Sequence, residues 1–374
     1  MIIAINARFL LSDYLEGYGN FIHETLKRIV INHPEHRFIF IFDRAFDPQF
    51  IFAENILPVV ARPPARHPLL WKFWYQFQIP RILKKYKADV FLSADGFCSL
   101  NTQVPQCVVI HDLAFLHYPE FHKKAHLSFF KKYIPLFLHK ASSIATVSQF
   151  SKSDIKKQFQ IDDSKIDVVY SAAKSVFRPI DDIEKTETKT KYTEGKEFFL
   201  FTGAIHPRKN LMNLLKAFSL FKKRLHSNMK LVIAGRLAWQ YASFTESLKS
   251  YKFRNDVVLT GYVEESELVK ITGAAYAMVY PSLFEGFGVP PLESMQCFVP
   301  VITSEKSAMF EITRDAALYA IANDPADIAE KMMLLYKDET LRKEMIEKGK
   351  IVASSYSWDN TSNLLWHSIL KAMQ

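Results

Sequence analysis

Short apolar runs alternate with amphipathic stretches along most of the chain. In the first half, apolar runs of the kind that form buried strands fall at 2–7, 38–42, 90–93, 108–110, 143–147 and 166–169. Between them, residues 21–31 and 127–140 carry apolar side chains at helical spacing. Strands that alternate with helices in this way predict a parallel sheet with helices on its faces.

The second half repeats the pattern of the first. Its strand-like runs fall at 198–202, 230–234, 257–259, 277–280 and 299–302. Helical patterns follow at 211–225 and 265–274. The fold class is therefore expected to be α/β, with two Rossmann-like, doubly wound domains that face each other.

The borders of these domains follow from composition. Residues 179–197 are rich in Asp, Glu, Lys and Thr and nearly free of large apolar side chains, so they can bury little and are interpreted as a linker. This gives an N-terminal domain at 1–178 and a C-terminal domain at 198–355. Residues 356–374 form an amphipathic helix whose apolar stripe must pack somewhere, including back on the first domain.

Charge is distributed unevenly over the chain. The net charge is +9, and residues 1–178 hold 23 Lys and Arg against 15 Asp and Glu. A basic half favours an anionic partner, whether nucleic acid, an acidic membrane surface or a phosphate-bearing substrate.

Three scattered cysteines are too few for a disulfide framework or a zinc site, which favours the cytoplasm. Neither a signal peptide nor a membrane-spanning run is expected.

The stretch PSLFEGFGVPPLESM, residues 281–295, is the strongest candidate for a site. Two glycines follow a buried-strand pattern and precede a helix whose first turn is expected to hold Glu293, so the loop can cradle a phosphate. The carboxylates of Glu285 and Glu293 can accept hydrogen bonds from sugar hydroxyls. Two alternatives remain: a dipole-complementing Glu293 beside a solvated Glu285, and a glycosidase acid and nucleophile pair.

A second candidate element is FTGAIHPRKNLMNLLKAF, residues 201–218. Gly203 ends a strand, and Arg208 and Lys209 precede a long amphipathic helix. Two cations at such a turn can neutralise a diphosphate leaving group, although a solvated basic turn would have the same sequence.

Other motifs exclude or leave open further chemistry. Ile22 replaces the third glycine of a dinucleotide fingerprint after Glu16-Gly17-Tyr18-Gly19, so a nicotinamide cofactor is not expected. His111-Asp112 is either a base with its orienting carboxylate or a core histidine beside a helix cap. No Asp-x-Asp occurs in the sequence, which predicts an enzyme without a metal cofactor. Residues 71–87 and 122–140 interleave aromatic and basic residues, as do both membrane-interfacial helices and helices packed on a sheet.

Taken together, the motifs resemble those of the retaining glycosyltransferases of family 4, the group 1 glycosyl transferases, which have the GT-B fold. The resemblance covers nearly the whole chain. The motifs that carry it are EGYGNF (16–21), VVIHDLAFLHYPEF (108–121), ATVSQFSKSDI (145–155), GAIHPRKN (203–210), LVIAGR (231–236), LTGYV (259–263) and the glutamate motif continued by PVITSEKSAMFEI (300–312). The chain departs from the family at Ala204, where many members have Arg.

The resemblance implies a role for each matching residue. The catalytic residues are expected to be Glu285, His111, Arg208 and Lys209. The donor-binding residues are expected to be Gly17, Gly19, Gly203, Arg208, Lys209, Gly235, Tyr262, Val263, Glu285, Gly286, Phe287, Gly288 and Glu293. In this assignment Glu285 holds donor-sugar hydroxyls, Glu293 holds the ribose, and His111 faces the reacting centre from the other domain.

The implied reaction moves a sugar, with mannose as one candidate, from a nucleoside diphosphate to a glycan or lipid-linked acceptor in surface polysaccharide synthesis. The expected place is the cytoplasm, with peripheral contact to the inner face of the membrane as a further expectation and no nucleic-acid partner. Rival hypotheses are a sugar-nucleotide epimerase or phosphorylase of the same fold, and a non-catalytic binder of anionic ligands.

Overall fold

The computed structural model describes residues 1–11, 15, 17–238 and 241–374. Glu16 of the EGYGNF motif lies outside the described residues. The chain folds into two compact units, one made of Met1–Ser171 with Trp358–Gln374 and the other of Ala172–Ser357. The border between the units therefore falls a few residues before the expected one at 178.

The first unit is a parallel sheet with helices between its strands. Its strands are β1 (Ile2–Asn6), β2 (Arg37–Phe42), β3 (Ile56–Val60), β4 (Val90–Ser93), β5 (Gln106–Ile110), β6 (Ser143–Thr146) and β7 (Ile166–Val168). Its first six helices are α1 (Gly17–Asn32), α2 (Pro68–Phe73), α3 (Ile79–Tyr86), α4 (Ala114–His117), α5 (Lys124–Lys140) and α6 (Gln149–Phe159). The strand order is β3-β2-β1-β4-β5-β6-β7, and every neighbouring pair is parallel.

The second unit repeats this architecture. Its strands are β8 (Phe198–Thr202), β9 (Lys230–Ala234), β10 (Val257–Gly261), β11 (Ala277–Tyr280), β12 (Val301–Ser304) and β13 (Ala317–Ala320). Its helices are α7 (Asp182–Thr193), α8 (Leu211–Leu225), α9 (Ala242–Lys249), α10 (Glu265–Ala274), α11 (Val289–Gln296), α12 (Met309–Thr313), α13 (Pro325–Lys337) and α14 (Glu339–Ser354). The parallel strands lie in the order β10-β9-β8-β11-β12-β13.

All the strands expected from the apolar runs are present, and the structure adds β3 and β13. Strand β3 contains Pro58, which argues against a central strand because proline cannot donate to the ladder. The proline is tolerated because β3 lies at the edge of its sheet. Strand β13 is also an edge strand, and its sequence ALYA carries little strand propensity.

The interpretation of residues 179–197 as a linker is corrected by the structure. They contain helix α7, which belongs to the second unit. Asp181 caps the helix by accepting a hydrogen bond from the amide of Glu184 at 2.8 Å. Thr188 and Thr193 are buried, so small side chains fill the contact that a search for large apolar residues overlooks.

The C-terminal helix α15 (Trp358–Lys371) packs in the first unit, as expected from its apolar stripe. The ring of Trp366 stacks on that of His33 at a centroid distance of 4.0 Å. The hydroxyl of Ser143 donates to the carbonyl of Ser368 at 2.7 Å, which ties the helix to β6. Among the described residues, no helix combines the length and the apolar character needed to cross a bilayer.

Candidate active site

The two sheets each have one place where the strand order reverses. In the second unit β8 and β11 are neighbours, while the chain leaves β8 towards β9 on one side and β11 towards β12 on the other. The loops that follow β8 and β11 therefore diverge at their carboxyl ends, where open α/β sheets bind ligands. These loops contain both motifs singled out in the sequence.

Three neighbouring strands of the second unit end on glycines in the left-handed region. Gly203, Gly235 and Gly261 have φ values of +127°, +156° and +70°. A Cβ atom on Gly235 would lie 1.9 Å from the carbonyl oxygen of Gly203, so only glycine fits there. The amide of Gly203 donates a hydrogen bond to the carbonyl of Ala234, and the amide of Gly235 donates one to the carbonyl of Gly261, both at 2.9 Å. These two bonds align the strand ends. The result is a backbone shelf without side chains at the carboxyl edge.

The turn that carries Arg208 and Lys209 is fixed by Asn210. Asn210 has φ +63° and is buried. Its side-chain nitrogen Nδ2 donates hydrogen bonds to the carbonyls of Pro281 at 2.9 Å and Ala322 at 2.6 Å. The amide of Leu283 donates in turn to the carbonyl of Arg208 at 2.9 Å. The basic turn and the glutamate loop are thus held together by backbone and amide hydrogen bonds.

Glu285 lies between the two cations of that turn. Its Oε1 accepts a hydrogen bond from Lys209 Nζ at 2.6 Å, and its Oε2 lies 3.5 Å from a guanidinium nitrogen of Arg208. The hydroxyls of Ser282 and Tyr280 also donate to Oε1. Glu285 is only 6% exposed, so its carboxylate is nearly desolvated.

The electrostatics of this cluster keep Glu285 ionised. Burial by itself raises the pKa of a carboxyl group, but Lys209 and Arg208 outweigh it and lower the pKa of Glu285 to about 2. Two side chains of this cluster are positively charged and one is negatively charged. Cations held at the strand ends in this way are suited to bind an anionic group of a ligand.

The glycine loop after Glu285 is closely packed. Gly288 has φ +94° and immediately precedes α11, and a Cβ atom on it would lie 2.1 Å from the Cε of Met309. Gly286 and Phe287 are buried beside it. The hydroxyl of Ser307 accepts a hydrogen bond from the Glu285 amide at 3.1 Å. The loop is therefore positioned by the segment between β12 and α12.

Glu293 is the fifth residue of α11 and lies beyond the first turn, contrary to the expectation from the sequence. The helix begins at Val289 because Gly288 ends the loop there. Its position weakens the alternative that Glu293 only complements the helix dipole, whose effect falls off within one turn. Burial raises the pKa of Glu293 to about 7, even though Lys174 acts in the opposite direction. A carboxyl group with this pKa can change its charge on binding a ligand near neutral pH.

Tyr262 and Val263 follow β10 directly, at the same carboxyl edge. Tyr262 is 57% exposed, which leaves its ring available to stack on a planar ligand. The predicted donor-binding residues of the second unit therefore lie at carboxyl ends of strands or in the loops that follow, except for Glu293, which lies in helix α11. The strand-end and loop residues are Gly203, Gly235, Arg208, Lys209, Tyr262, Val263, Glu285, Gly286, Phe287 and Gly288.

His111 lies in the first unit, directly after β5. Its Nε2 lies 3.2 Å from the carbonyl oxygen of Ala94, and since a carbonyl can only accept, Nε2 carries the proton. Burial lowers the pKa of His111 to about 4, although Asp112 raises it. The imidazole is therefore neutral near pH 7, and its Nδ1 has a lone pair that can accept a proton or a hydrogen bond.

Gly17 and Gly19 begin helix α1 in the first unit. A Cβ atom on Gly19 would lie 2.7 Å from the carbonyl oxygen of Phe9, whereas one on Gly17 would have nothing within 4 Å. Gly19 is therefore required by the packing of the chain itself. Gly17 is exposed, and its backbone is open to a ligand.

A pocket of about 230 Å³ occupies the switch point of the first unit, beside the neighbouring strands β1 and β4. Its wall includes His111, Arg8 and Asp95, and the last two form a buried ion pair at 2.6 Å. The aromatic part of the wall is supplied by Phe9, Tyr18, Trp71, Phe97, Phe115 and Phe130.

Arg8 and Asp95 belong to none of the motifs that predict a site from the sequence. Each follows the end of a buried strand with one residue between, and a charged residue at that place is a signal that could have found it. One group with the spacing of metal ligands occurs among the described residues, at His33, Glu35 and His36. It precedes β2, at the amino end of a strand and away from both switch points.

Two family models match the chain in succession. Glycosyltransferase Family 4 matches residues 19–173, and Glycosyl transferases group 1 matches residues 182–352. Among curated proteins, O-antigen chain mannosyltransferase B of Escherichia coli is 28% identical over 358 residues, which cover 92% of this chain and 93% of that protein. O-antigen chain mannosyltransferase RfbU of Salmonella typhimurium is 27% identical over 318 residues, which cover 83% of this chain and 82% of that protein.

A solved structure agrees in fold. Sucrose-phosphate synthase from Thermosynechococcus elongatus superposes with a TM-score of 0.79 at 14% identity and covers 98% of this chain and 97% of that one. Together with the two parallel-sheet units, this likeness confirms the expected GT-B fold. The family matches also disfavour the rival epimerase, phosphorylase and non-catalytic binder. This chain belongs to the group 1 glycosyl transferases of glycosyltransferase family 4, and it is a glycosyltransferase.

Proposed function

We propose that this enzyme transfers a sugar, most simply mannose, from a nucleoside diphosphate to a hydroxyl of a glycan or lipid-linked acceptor, with retention of configuration, in the synthesis of a surface polysaccharide. The relatives named as O-antigen mannosyltransferases support the sugar and the pathway class. The observation that carries the proposal is the buried Glu285 between Arg208 and Lys209 at the switch point of the second unit.

The proposed mechanism assigns the leaving group to the basic turn. The donor diphosphate lies against the glycine shelf and the amino end of α11, and Arg208 and Lys209 neutralise the charge that develops as the glycosidic oxygen leaves. Glu285 accepts hydrogen bonds from sugar hydroxyls while it keeps both cations in place. Glu293 accepts hydrogen bonds from the ribose hydroxyls, and Tyr262 and Val263 contact the base.

The acceptor is assigned to the first unit. Its pocket is walled by aromatic faces, on which sugar rings stack, and by the Arg8–Asp95 pair. His111 is neutral at pH 7 and offers Nδ1 as an acceptor, so it positions a hydroxyl without adding positive charge. Gly17 leaves the backbone accessible for a phosphate of the donor.

Donor binding and product analysis test the proposal together. We expect one of the nucleotides GDP, UDP and ADP, or a sugar conjugate of one of them, to raise the melting temperature of the protein, because a ligand that binds only the folded state stabilises it. With a sugar donor and an extract of lipid-linked glycans, we expect a new glycosidic bond, measured by mass spectrometry. An altered free nucleotide sugar or a sugar phosphate as the product would identify the epimerase or phosphorylase instead.

Transfer is expected to proceed without a divalent metal. Arg208 and Lys209 supply the positive charge at the diphosphate that a metal ion would otherwise supply. We therefore expect unchanged initial rates after dialysis against EDTA and in the presence of Mg²⁺ or Mn²⁺. Activity lost with the chelator and restored by either ion would contradict this prediction.

Donor binding is expected to release protons through Glu293. Its pKa is about 7 in the unliganded protein, and hydrogen bonds from ribose hydroxyls favour the ionised form and so lower that pKa. We expect calorimetric titration of the donor nucleotide at pH 7, in buffers of different ionisation enthalpy, to show a fraction of a proton released. In Glu293→Gln the buffer dependence should disappear; its persistence would assign the proton to another group.

Glu293 also makes the stability of the folded chain depend on pH. Its pKa in the folded state, about 7, lies above the ordinary value of 4.5. The stability that this shift contributes is fully present below pH 4.5 and is lost as the pH rises to 7. Glu293→Gln should therefore be more stable than the unsubstituted protein at pH 8 and equally stable at pH 4.5.

The proposed location is the cytoplasm, at the inner face of the membrane. Few and unpaired cysteines fit a reducing compartment. The excess of basic residues in the first half of the chain fits a leaflet rich in anionic lipid.

A further inference from the structure

A helical segment of the first unit is apolar on both of its faces. It consists of α2, a π-helical turn at Trp74–Gln78, and α3. On the inner face Trp71, Trp74 and Tyr75 are buried in the core. On the outer face Leu69, Phe73 and Phe77 are 73%, 37% and 49% exposed. We call these last three residues the outer stripe.

The outer stripe is one continuous surface. Its members are spaced by four residues, which places them on the same side of a helix. The rings of Phe73 and Phe77 stack with their centroids 5.6 Å apart and their planes at 28°. The core covers only the inner face of this helical segment, so the apolar side chains of the outer stripe remain exposed.

The segment that carries the stripe is strongly basic. Residues 62–87 contain seven Lys and Arg and no Asp or Glu, and all seven are exposed. These are Arg62, Arg66, Lys72, Arg81, Lys84, Lys85 and Lys87. Helix α5, which packs against α2, adds the exposed Lys124, Lys131 and Lys132 without an acidic residue. Within the described ranges, none of the seven forms an ion pair with an acidic side chain.

We propose that the outer stripe is a docking surface for an anionic lipid bilayer. Leu69, Phe73 and Phe77 insert at the boundary between headgroups and acyl chains, and the flanking cations bind lipid phosphates. Nucleic acid would satisfy the cations but would leave the side chain of Leu69 in water. The combination of exposed aliphatic and aromatic side chains with unpaired cations therefore favours lipid over nucleic acid.

The docking surface also bears on the acceptor. Trp71, on the opposite face of the same helix, forms part of the aromatic pocket and lies 5.9 Å from Phe130, ring to ring. The helix that meets the bilayer thus also forms a wall of the proposed acceptor pocket. This part of the inference rests on the proposed function and identifies the acceptor as one carried by a membrane lipid.

Vesicle binding tests the docking surface directly. We expect the full chain to float with vesicles of phosphatidylglycerol and phosphatidylcholine at least about tenfold more than with phosphatidylcholine alone. The variant Leu69→Ser/Phe73→Ser/Phe77→Ser should lose about tenfold or more of that binding. The variant Ile183→Ser/Ile351→Ser is the matched control, because these side chains are 71% and 70% exposed but lie in the second unit. It should bind like the unsubstituted protein.

Further measurements separate this inference from the proposed function. Light scattering reports whether the stripe joins two copies of the chain; a dimer that the triple variant dissociates, with no vesicle binding, would overturn the inference. Equal binding of the protein to neutral and anionic vesicles would also overturn the inference. Binding of the triple variant to anionic vesicles as strong as that of the unsubstituted protein would overturn it too. The nucleotide thermal shift is measured on the same proteins, and its absence from the unsubstituted protein alongside intact vesicle binding by that protein would contradict the proposed donor site alone.

Discussion

Replacing Glu285 with Gln is expected to lower kcat about 100-fold to 1,000-fold while the chain still folds, because an amide keeps the shape of the side chain but loses its charge. The carboxylate lies 2.6 Å from Lys209 Nζ, and its charge orients both cations of the basic turn. Without it, hydroxyls of the donor sugar lose a charged acceptor at the reacting centre. Steady-state rates with a fixed acceptor measure the loss, and a rate within threefold of the unsubstituted enzyme would contradict the assigned role.

The same substitution is expected to destabilise the second unit, so a control must separate the two effects. Removing one partner of a buried pair typically costs about 3–5 kcal/mol. Asp256 offers the matched change, since it also lies between two lysines, Lys222 at 2.9 Å and Lys230 at 3.3 Å. It precedes β10, at the amino edge of the sheet and away from the site. We therefore expect Asp256→Asn to lower the melting temperature and to leave kcat unchanged.

Acid should remove the contribution of Glu285 to stability. Its folded-state pKa of about 2 lies below the ordinary value of 4.5. The stability from this shift, on the order of 3 kcal/mol, is present above pH 4.5 and is lost as the pH falls towards 2. Denaturant titrations should therefore converge for Glu285→Gln and the unsubstituted protein as the pH falls below 4.5.

The elements that position the proposed donor site follow from local patterns in the sequence. The ends of strands β8, β9 and β10 are visible because the runs at 198–202 and 230–234 each stop at a glycine, and the run at 257–259 is followed two residues later by Gly261. The parallel-sheet rule then places the loops after β8 and β11 at one edge. The proximity of Glu285 to Arg208 and Lys209, 76–77 residues apart in the chain, follows from this rule together with the strand order.

The remaining features depend on contacts that no local pattern records. The side-chain amide of Asn210 bonds to the carbonyls of Pro281 and Ala322, which requires the order of β8, β11, β12 and β13 to be known. The contact between Met309 and Gly288 requires the order of β11 and β12 to be known. Arg8 and Asp95 approach each other only because β1 and β4 are neighbours. The burial of Glu285, and with it the low pKa, is a property of the assembled loops rather than of the motif.

The second large effect is expected at Lys209. Lys209→Met keeps the length and the apolar stem of the side chain and removes the ammonium group, which lies 2.6 Å from Glu285 Oε1. We expect kcat/KM for the donor to fall about 100-fold, since the diphosphate loses one of two fixed cations while its charge develops. Lys222→Met is the matched control, because Lys222 is similarly buried and paired, with Asp256 at 2.9 Å, outside the site.

A second readout distinguishes electrostatic loss at Lys209 from misfolding. After burial, the charge of Lys209 is the largest influence on Glu285, and it lowers the pKa of that carboxyl. Without the ammonium group the pKa of Glu285 must rise, so the acid limb of the kcat/KM profile should move to higher pH in Lys209→Met and stay in place in Lys222→Met. The double variant Glu285→Gln/Lys209→Met should lose much less than the product of the two single losses, because each group acts through the other. Losses that multiply, with an unshifted acid limb, would show that Lys209 and Glu285 contribute to turnover independently.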